Sequence, residues 1–306
     1  MDIRQLRYFL AIAKEEQITR AAKTLNMEQP PLSRQLKLME QELGVTLFER
    51  TGKQLRLTQA GAVLRKKAEE LINQFNETIT EIQEIDQGVR GTLPIGSVFS
   101  CISLLPDKMK QYRLKYPDVV FKILEGDHFT LGEYLENRHI ELVVTRLPFE
   151  SNYPSSQYDI LPLPSDPFVA VVPQDWFGLR AESPASVRMN EIASWPLLAL
   201  KSDRTVKLHE KIVKECRRFG FEPNIICECS SVAIIIALVK EGIGAAILPK
   251  SVMSSFPMKE MNMFTILDAE LHSDVGIVWL KERGLSRRAQ AFIDTFRAEP
   301  LTPQLL

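Results

Sequence analysis

The sequence predicts an α+β multidomain chain made of a small helical head with a two-stranded appendage, a long coiled-coil linker helix, and a larger α/β part. Three observations carry this. Helix-period apolar stripes, separated by capping signals, fill the first 58 residues; a proline-free heptad runs from Ala60 to Val89; and strand-like and helical runs alternate after Gly91. At 306 residues the chain is long enough for two or three domains of ~100 to 200 residues each. With 45% hydrophobic and 25% charged residues, and 14 Gly and 18 Pro dispersed, it is not collagen-like, low-complexity or mainly disordered.

In the head, Leu6, Phe9, Leu10 and Ala13 form a stripe that leaves Arg4, Arg7 and Lys14 outside it, which predicts a first helix. Thr19 is expected to cap a second, short helix through Ala21, Ala22 and Leu25, with Asn26 suiting its C-terminal end. A third helix begins at Gln29-Pro30-Pro31, because proline is tolerated where first-turn N–H groups lack acceptors anyway. It continues through Leu32, Leu36, Met39 and Leu43 and stops at Gly44, leaving Ser33, Arg34, Lys37 and Gln41 on or beside the outward face. Two helices joined by a tight turn, the second with an exposed Gln/Ser/Arg tip, match the helix-turn-helix that places a recognition helix in a DNA major groove. Thr46 to Arg50 and Gln54 to Leu57 predict two strands around Thr51-Gly52-Lys53, a wing carrying three cations.

Charge is distributed to match. The chain has a net charge of −1, yet residues 1 to 58 hold ten Lys/Arg against seven acids, a net +3, so the remainder is acidic. A basic head on an acidic body favours a polyanion partner for the head.

From Ala60 to Val89 the positions Leu64, Ala68, Leu71, Phe75, Thr78, Ile82, Ile85 and Val89 step alternately by four and three, the seam of a two-stranded coiled coil. Leu64, Leu71, Phe75 and Ile82 are the expected dimerisation residues. A dimer also supplies the ~34 to 36 Å spacing that two recognition helices need for half-sites one DNA turn apart.

Beyond Arg90-Gly91, strands at Thr92 to Val98, Val119 to Glu125 and Ile140 to Thr145 alternate with helices at about Leu104 to Tyr116 and Thr130 to Asn137, predicting an open α/β sheet with right-handed crossovers. Further strands are expected at Phe168 to Val172, Leu197 to Leu200, Ile225 to Glu228, Ala245 to Leu248 and Gly276 to Leu280. Helices are expected at Val206 to Phe219, Val232 to Glu241 and Arg287 to Arg297. Ligands in such sheets sit beyond the strand carboxyl ends, where helix N-termini gather. Ser97 to Cys101, Asp127 to Thr130, Arg146, Lys201 to Asp203 and Ser230-Ser231 fall there, with hydroxyls and cations but no nucleophile-base pair, a composition suited to holding a small organic anion.

The string Thr19 to Ala22, Gln29 to Leu36, Leu43-Gly44, Leu47 to Arg50 and Leu57 to Gly61 resembles the winged head of LysR-type transcriptional regulators, in continuous register over nearly all of residues 1 to 61. It departs at Glu28, where the family commonly has Ser or Thr, and at Pro31, where it has Ala. The resemblance implies that Gln29, Pro30, Ser33 and Arg34 face DNA, with Arg50, Lys53 and Thr58 near the backbone; Thr19 and Lys37 complete the DNA-binding set. Chemistry assigns their roles: Arg34 to guanine O6/N7, Gln29 to adenine, Pro30 to a thymine methyl, Ser33 and the wing cations to phosphates.

Gly91 to Gly96, Leu105-Pro106, Tyr116 to Val119, Ile140 to Val144 and Val239 to Pro249 likewise resemble the family's effector-binding part, which is similar to periplasmic binding proteins in having two subdomains around a cleft. Ser97, Ser100, Cys101, Thr130, Arg146, Lys201 and Ser202 would line that cleft. The expected division is 1–58 for the winged helix-turn-helix, 59–90 for the linker and 91–306 for the effector domain, its subdomain I at about 91–162 and 269–306 and subdomain II at about 163–268.

No P-loop, helix-opening GxGxxG, HExxH or GxSxG occurs, so neither an enzyme nor a cofactor or metal is expected. His128, His139, His209 and His272 are isolated and read as surface or capping residues; Cys227 and Cys229 share one strand face and read as core thiols. Four cysteines with no CxxC fit a reducing compartment, and the longest apolar run, Val232 to Val239, is far short of the ~20 residues a membrane span needs. The implied molecule is a cytoplasmic homodimer or homotetramer binding a double-stranded DNA operator and a small-molecule effector, with no membrane partner. A carrier whose head binds protein, and an enzyme with unrecognised catalytic groups, are the competing readings.

Overall fold

A computed structural model of the chain describes residues 1–51, 54–87, 89–176, 186–201, 207–282 and 284–297; the side chains of 50, 51, 77, 80, 81, 83–87 and 207 are outside that description. Contacts divide the chain into two compact units, Met1–Gly88 with Asn137–His139, and Val89–Glu136 with Ile140–Leu306.

In the first unit, helix α1 (Ile3–Glu15) is started by a capping box in which Asp2 accepts the Gln5 N–H and the Gln5 side chain returns to the Asp2 N–H. It buries Leu6, Phe9, Ile12 and Ala13; Ile12 takes the place expected of Leu10, which is half-buried. Helix α2 (Ile18–Thr24) buries Ala21 and Ala22, and helix α3 (Gln29–Leu43) buries Leu32, Leu36 and Met39 before ending at Gly44 in the left-handed region at φ 70°. Leu43 is 39% exposed, so α3 contributes one residue fewer to the core than its spacing implies. Strands β1 (Phe48–Thr51) and β2 (Gln54–Leu57) pair antiparallel as the wing. The Glu40 carboxylate fastens β1 to α3 by accepting the Leu47 N–H at 2.8 Å.

Helix α4 (Gln59–Gln87) follows at once. Its first turns belong to the head: Ala68 is fully buried in the head's core, with Leu64 and Ile72 packed against it. The helix stops short of Val89, which instead packs against the core of the second unit.

The second unit opens with β3 (Gly91–Ser97), a 3-10 turn at Phe99–Leu104, α5 (Leu105–Lys115), β4 (Val119–Glu125), α6 (His128–Glu136) and β5 (Leu142–Arg146). Strands β4 and β5 both run parallel to β3, as the βαβαβ pattern requires. Then come β6 (Tyr158–Pro173), β7 (Ser186–Val187), α7 (Met189–Ile192), β8 (Leu197–Leu200), α8 (Lys207–Arg218), β9 (Ile225–Cys229), α9 (Val232–Lys240), β10 (Ala246–Pro249), α10 (Lys250–Met253), β11 (Met261–Ile266), β12 (His272–Leu280) and α11 (Arg287–Arg297). The main sheet has the order β4-β3-β5-β12-β6-β11-β7, with β10 also paired to β6; β8 and β9 form a parallel pair beside β10.

Strand β6 makes two lobes of one sheet. Tyr158 to Pro167 pairs with β12, and Phe168 to Pro173 pairs with β10 and β11. One apolar core collects β3, β4, β5, β12, α5 and α11; two others collect the elements between Phe168 and Leu271. The sequence reading placed only the second half of this strand. Pro162, Pro164 and Pro167 argue against a central strand, but the first half of β6 is paired along one side only, where a missing N–H costs no ladder bond. Strand β11 and the short β7 were also missed.

Candidate functional sites

The face of α3 opposite its core stripe carries Gln29, Pro30, Arg34 and Lys37, all exposed, with Ser33 half-buried beside them. Prolines at the start remove two of the helix's unpaired donors, and the Glu28 side chain makes no capping bond. Among the described residues, neither Arg34 nor Lys37 has an ion pair or hydrogen bond. Their charges stand open to a ligand.

Two head residues differ from expectation. Thr19 lies inside the first turn of α2, exposed; the N-cap is Gln17, which makes no side-chain cap. Thr58 was expected near DNA phosphates, but its hydroxyl is engaged: it donates to the Thr46 carbonyl at 2.8 Å and accepts the Gly61 N–H at 3.0 Å, capping α4. Gly61 is required there, because a Cβ would collide with the Leu47 carbonyl. Arg50 sits on β1 opposite Leu55, its side chain outside the description, and Lys53 lies outside the described residues. Along α4, Leu71, Phe75 and Ile82 are 48%, 42% and 62% exposed, and Val63 and Ile79 are exposed as well; Leu64 is half-buried against the head's core instead.

In the second unit a cavity of about 340 Å³ lies at the carboxyl ends of β3, β4 and β5 on one lobe and of β8 and β9 on the other. One wall is Val98, Phe99 and Ser100, then Glu125 to His128, then Arg146 to Pro148 with Glu150. The opposite wall is Leu200, Leu208, Lys211, Ser230 and Val232, with Ser273 between them. Its position follows the rule for open α/β sheets.

Of the expected effector residues, the structure brings Ser100 and Arg146 to this cavity. Ser97 is fully buried, its hydroxyl turned to the Val98 carbonyl at 3.1 Å. Cys101 is fully buried too, and desolvation pushes its thiol up to about 11 although Arg146 nearby pulls it down. Thr130 is held one turn back, its N–H bonded at 2.7 Å to Asp127 Oδ1, which caps α6. Lys201 turns away to Glu228, 2.7 Å distant, whose carboxyl its hydrogen bond holds below the usual range. Ser202 lies outside the described residues.

Arg146, expected as a cleft-lining cation, is fully engaged by protein groups. Its Nη1 donates to Asp166 Oδ2 at 2.7 Å, and its Nη2 donates to the Ser100 carbonyl at 2.6 Å and to Ser251 Oγ at 3.2 Å. Asp166 in turn accepts the Ser251 N–H and hydroxyl. Both charged side chains are 9% exposed. This is a neutralised rivet joining β5, β6, α10 and the 3-10 turn at the cavity wall.

His128, set aside as a surface or capping residue, is buried. Its Nδ1 accepts the Glu150 N–H at 3.2 Å, which leaves Nε2 to donate to Thr145 Oγ1 at 2.9 Å. Phe99 belongs to the loop Ser97 to Cys101 expected there, while Leu200, Leu208 and Lys211 were missed because nothing in their local spacing distinguishes them from core or surface helix positions. Cys227 and Cys229 do share a face, but both are half-buried.

A winged helix-turn-helix with an open cationic face, followed by a two-lobed α/β unit around a small cavity, defines a class: DNA-binding regulators with a ligand-binding domain. Residues 3–62 match the model for bacterial regulatory helix-turn-helix proteins of the lysR family, and residues 86–300 match the LysR substrate binding domain. The chain is 38% identical over 298 residues to the HTH-type transcriptional regulator BsdA of Bacillus subtilis (strain 168), covering 97% of this chain and 100% of BsdA. It is 31% identical over 257 residues to AlsR of the same organism, covering 84% and 83%. Among solved structures, that of CbnR, a LysR family transcriptional regulator, superposes with a TM-score of 0.76 at 20% identity, covering 99% of this chain and 100% of CbnR. The chain belongs to the LysR family of DNA-binding transcriptional regulators. No helix among the described residues is long and apolar enough to cross a membrane.

Proposed function

We propose that two copies of this chain bind an operator through paired α3 helices, each laid in a major groove, and that a small organic anion in the cavity of the second unit controls the outcome. The open row of Gln29, Pro30, Arg34 and Lys37, with both cations unpaired among the described residues, carries the DNA reading. Arg34 bonds guanine, Gln29 adenine, and Pro30 touches a thymine methyl, while Ser33, Lys37, Arg50 and Lys53 hold phosphates and Thr19 stands at the α2 end of the face. The exposed row Leu71, Phe75 and Ile82 supports pairing through α4; burying it against a second copy removes apolar surface at roughly 25 cal/mol per Å². Dimers pairing again give a tetramer. The boundaries 1–58, 59–90 and 91–306 go with this assignment, and the protein works in the cytoplasm, where its DNA lies.

Effector binding biases the two lobes toward one arrangement, and that bias changes how the paired heads sit on the operator. Replacing both Leu71 and Phe75 with Lys gives monomers by analytical ultracentrifugation; an unchanged sedimentation coefficient removes α4 from the interface. On a set of operator variants, Arg34→Ala weakens binding and flattens sequence preference, whereas Lys53→Ala weakens every sequence alike. Equal losses across all variants for both proteins defeat the assignment.

A further inference from the structure

The leading end of α3 carries a charge that the face of Gln29, Pro30, Arg34 and Lys37 does not use. Glu28, the residue before the helix, has extended backbone at φ −73° and ψ 148°, and it is exposed. A side chain at that position ordinarily accepts the N–H of the second or third helical residue. Here those residues are Pro30 and Pro31, which have no N–H to give. The usual capping bond therefore has no donor, and among the described residues no cation or hydrogen-bond donor engages the Glu28 carboxylate. What remains of its structural use is the solvent-screened pull of the helix dipole. An unpaired carboxylate on a DNA-reading helix selects by sign. Phosphate oxygens repel it, and so do guanine O6 and N7 and thymine O4, all acceptors. In the major groove only the amino groups of cytosine and adenine can donate to it, and the adenine amino group has the N7 acceptor beside it. Cytosine N4 is the better partner.

We propose that Glu28 is a specificity-determining residue that accepts a hydrogen bond from cytosine N4 at one base pair of each half-site, next to those read by Gln29 and Arg34. This deepens the α3 reading proposed above and rests on it. The same charge weakens binding to every duplex that cannot supply the amino group. Glu28 thus separates operator from bulk DNA by exclusion as well as by contact.

Full-length protein is titrated by fluorescence anisotropy against duplexes from the DNA upstream of its own gene, with each base pair changed in turn, and against a random-sequence duplex. The parent is expected to favour cytosine roughly tenfold at one position of each half-site, the worth of one charge-assisted hydrogen bond. It should lose that factor when this cytosine is replaced by 2-pyrimidinone, which lacks only the amino group. Glu28→Ala is expected to be indifferent to both changes, to keep the parent's preferences at every other position, and to hold the random duplex more tightly at low salt. Glu28→Gln should move the preference at that position toward adenine, whose amino group and N7 match an amide. A Glu28→Ala protein with the parent's full base profile overturns the inference, as does a loss spread evenly over all positions. A lowered thermal midpoint in Glu28→Ala also overturns it, since that marks a structural role. Arg34→Ala separates the two levels. Where it flattens sequence preference and Glu28→Ala changes nothing, the α3 reading stands and Glu28 falls. Where neither variant alters the preference, or the parent has none, the α3 reading itself fails.

Discussion

Arg34 and Arg146 were both singled out from the sequence as ligand-facing cations, and the fold treats them oppositely. Arg34 stands exposed on α3 with no partner among the described residues, whereas Arg146 is buried in an ion pair and further hydrogen bonds. A helix shows its outward face in its own spacing, because burial of Leu32, Leu36 and Met39 fixes where Arg34 points. A residue at a strand end has no such neighbour to fix it; Asp166, twenty positions away, decides what Arg146 does. An open cation is available for recognition. A locked one is architecture.

The largest effect that would break this contrast comes from Asp166→Ala. It leaves the Arg146 guanidinium buried without its counter-ion, so the second unit is expected to lose about 3 to 5 kcal/mol in urea unfolding. A loss below about 1 kcal/mol, the range of surface ion pairs, places Arg146 on the open side. Arg34→Ala gives the mirror image, with stability within about 0.5 kcal/mol of the parent, as for surface substitutions, but about 1 to 3 kcal/mol lost on the preferred operator in fluorescence anisotropy.

Cys101 sharpens the comparison through pH. Its thiol is raised from 9.0 to about 11 by burial beside the rivet. A group whose folded value is the higher one contributes fully below its unfolded value and loses that contribution as pH climbs through the folded one. Unfolding free energy should therefore fall between about pH 9 and 11. Cys101→Ala should flatten that part of the pH profile, and an unchanged slope places the loss elsewhere. The smallest effect belongs to Thr58→Ala, about 1 kcal/mol from the lost α4 cap, with Thr58→Ser restoring it in thermal unfolding.

Much of the fold was legible. The helix-turn-helix, the wing, the long helix and the parallel β3-β4-β5 core follow from spacing, proline placement and the Gly44 stop, all local signals. Three prolines hid the crossover strand β6, tolerated because that half of the strand has one free edge. The exposed cationic face of α3 was legible for the same local reason, whereas the engagement of the Thr58 hydroxyl was not, because its partner, the Thr46 carbonyl, is not written beside it. The cavity's location followed from topology, while its chemistry did not. Ser97 and Cys101 turn inward, His128 is buried, and Lys211 arrives from a helix more than sixty residues downstream of Arg146.

The most direct measurement is the affinity of the purified protein for the DNA upstream of its own gene as a function of salt. Paired recognition helices backed by phosphate contacts predict tight, sequence-dependent binding at low ionic strength whose logarithm falls steeply and linearly with the logarithm of salt, and a flattened sequence preference in Arg34→Ala. Binding absent at low salt from this and every neighbouring promoter fragment, or an Arg34→Ala protein that discriminates among them as the parent does, contradicts it.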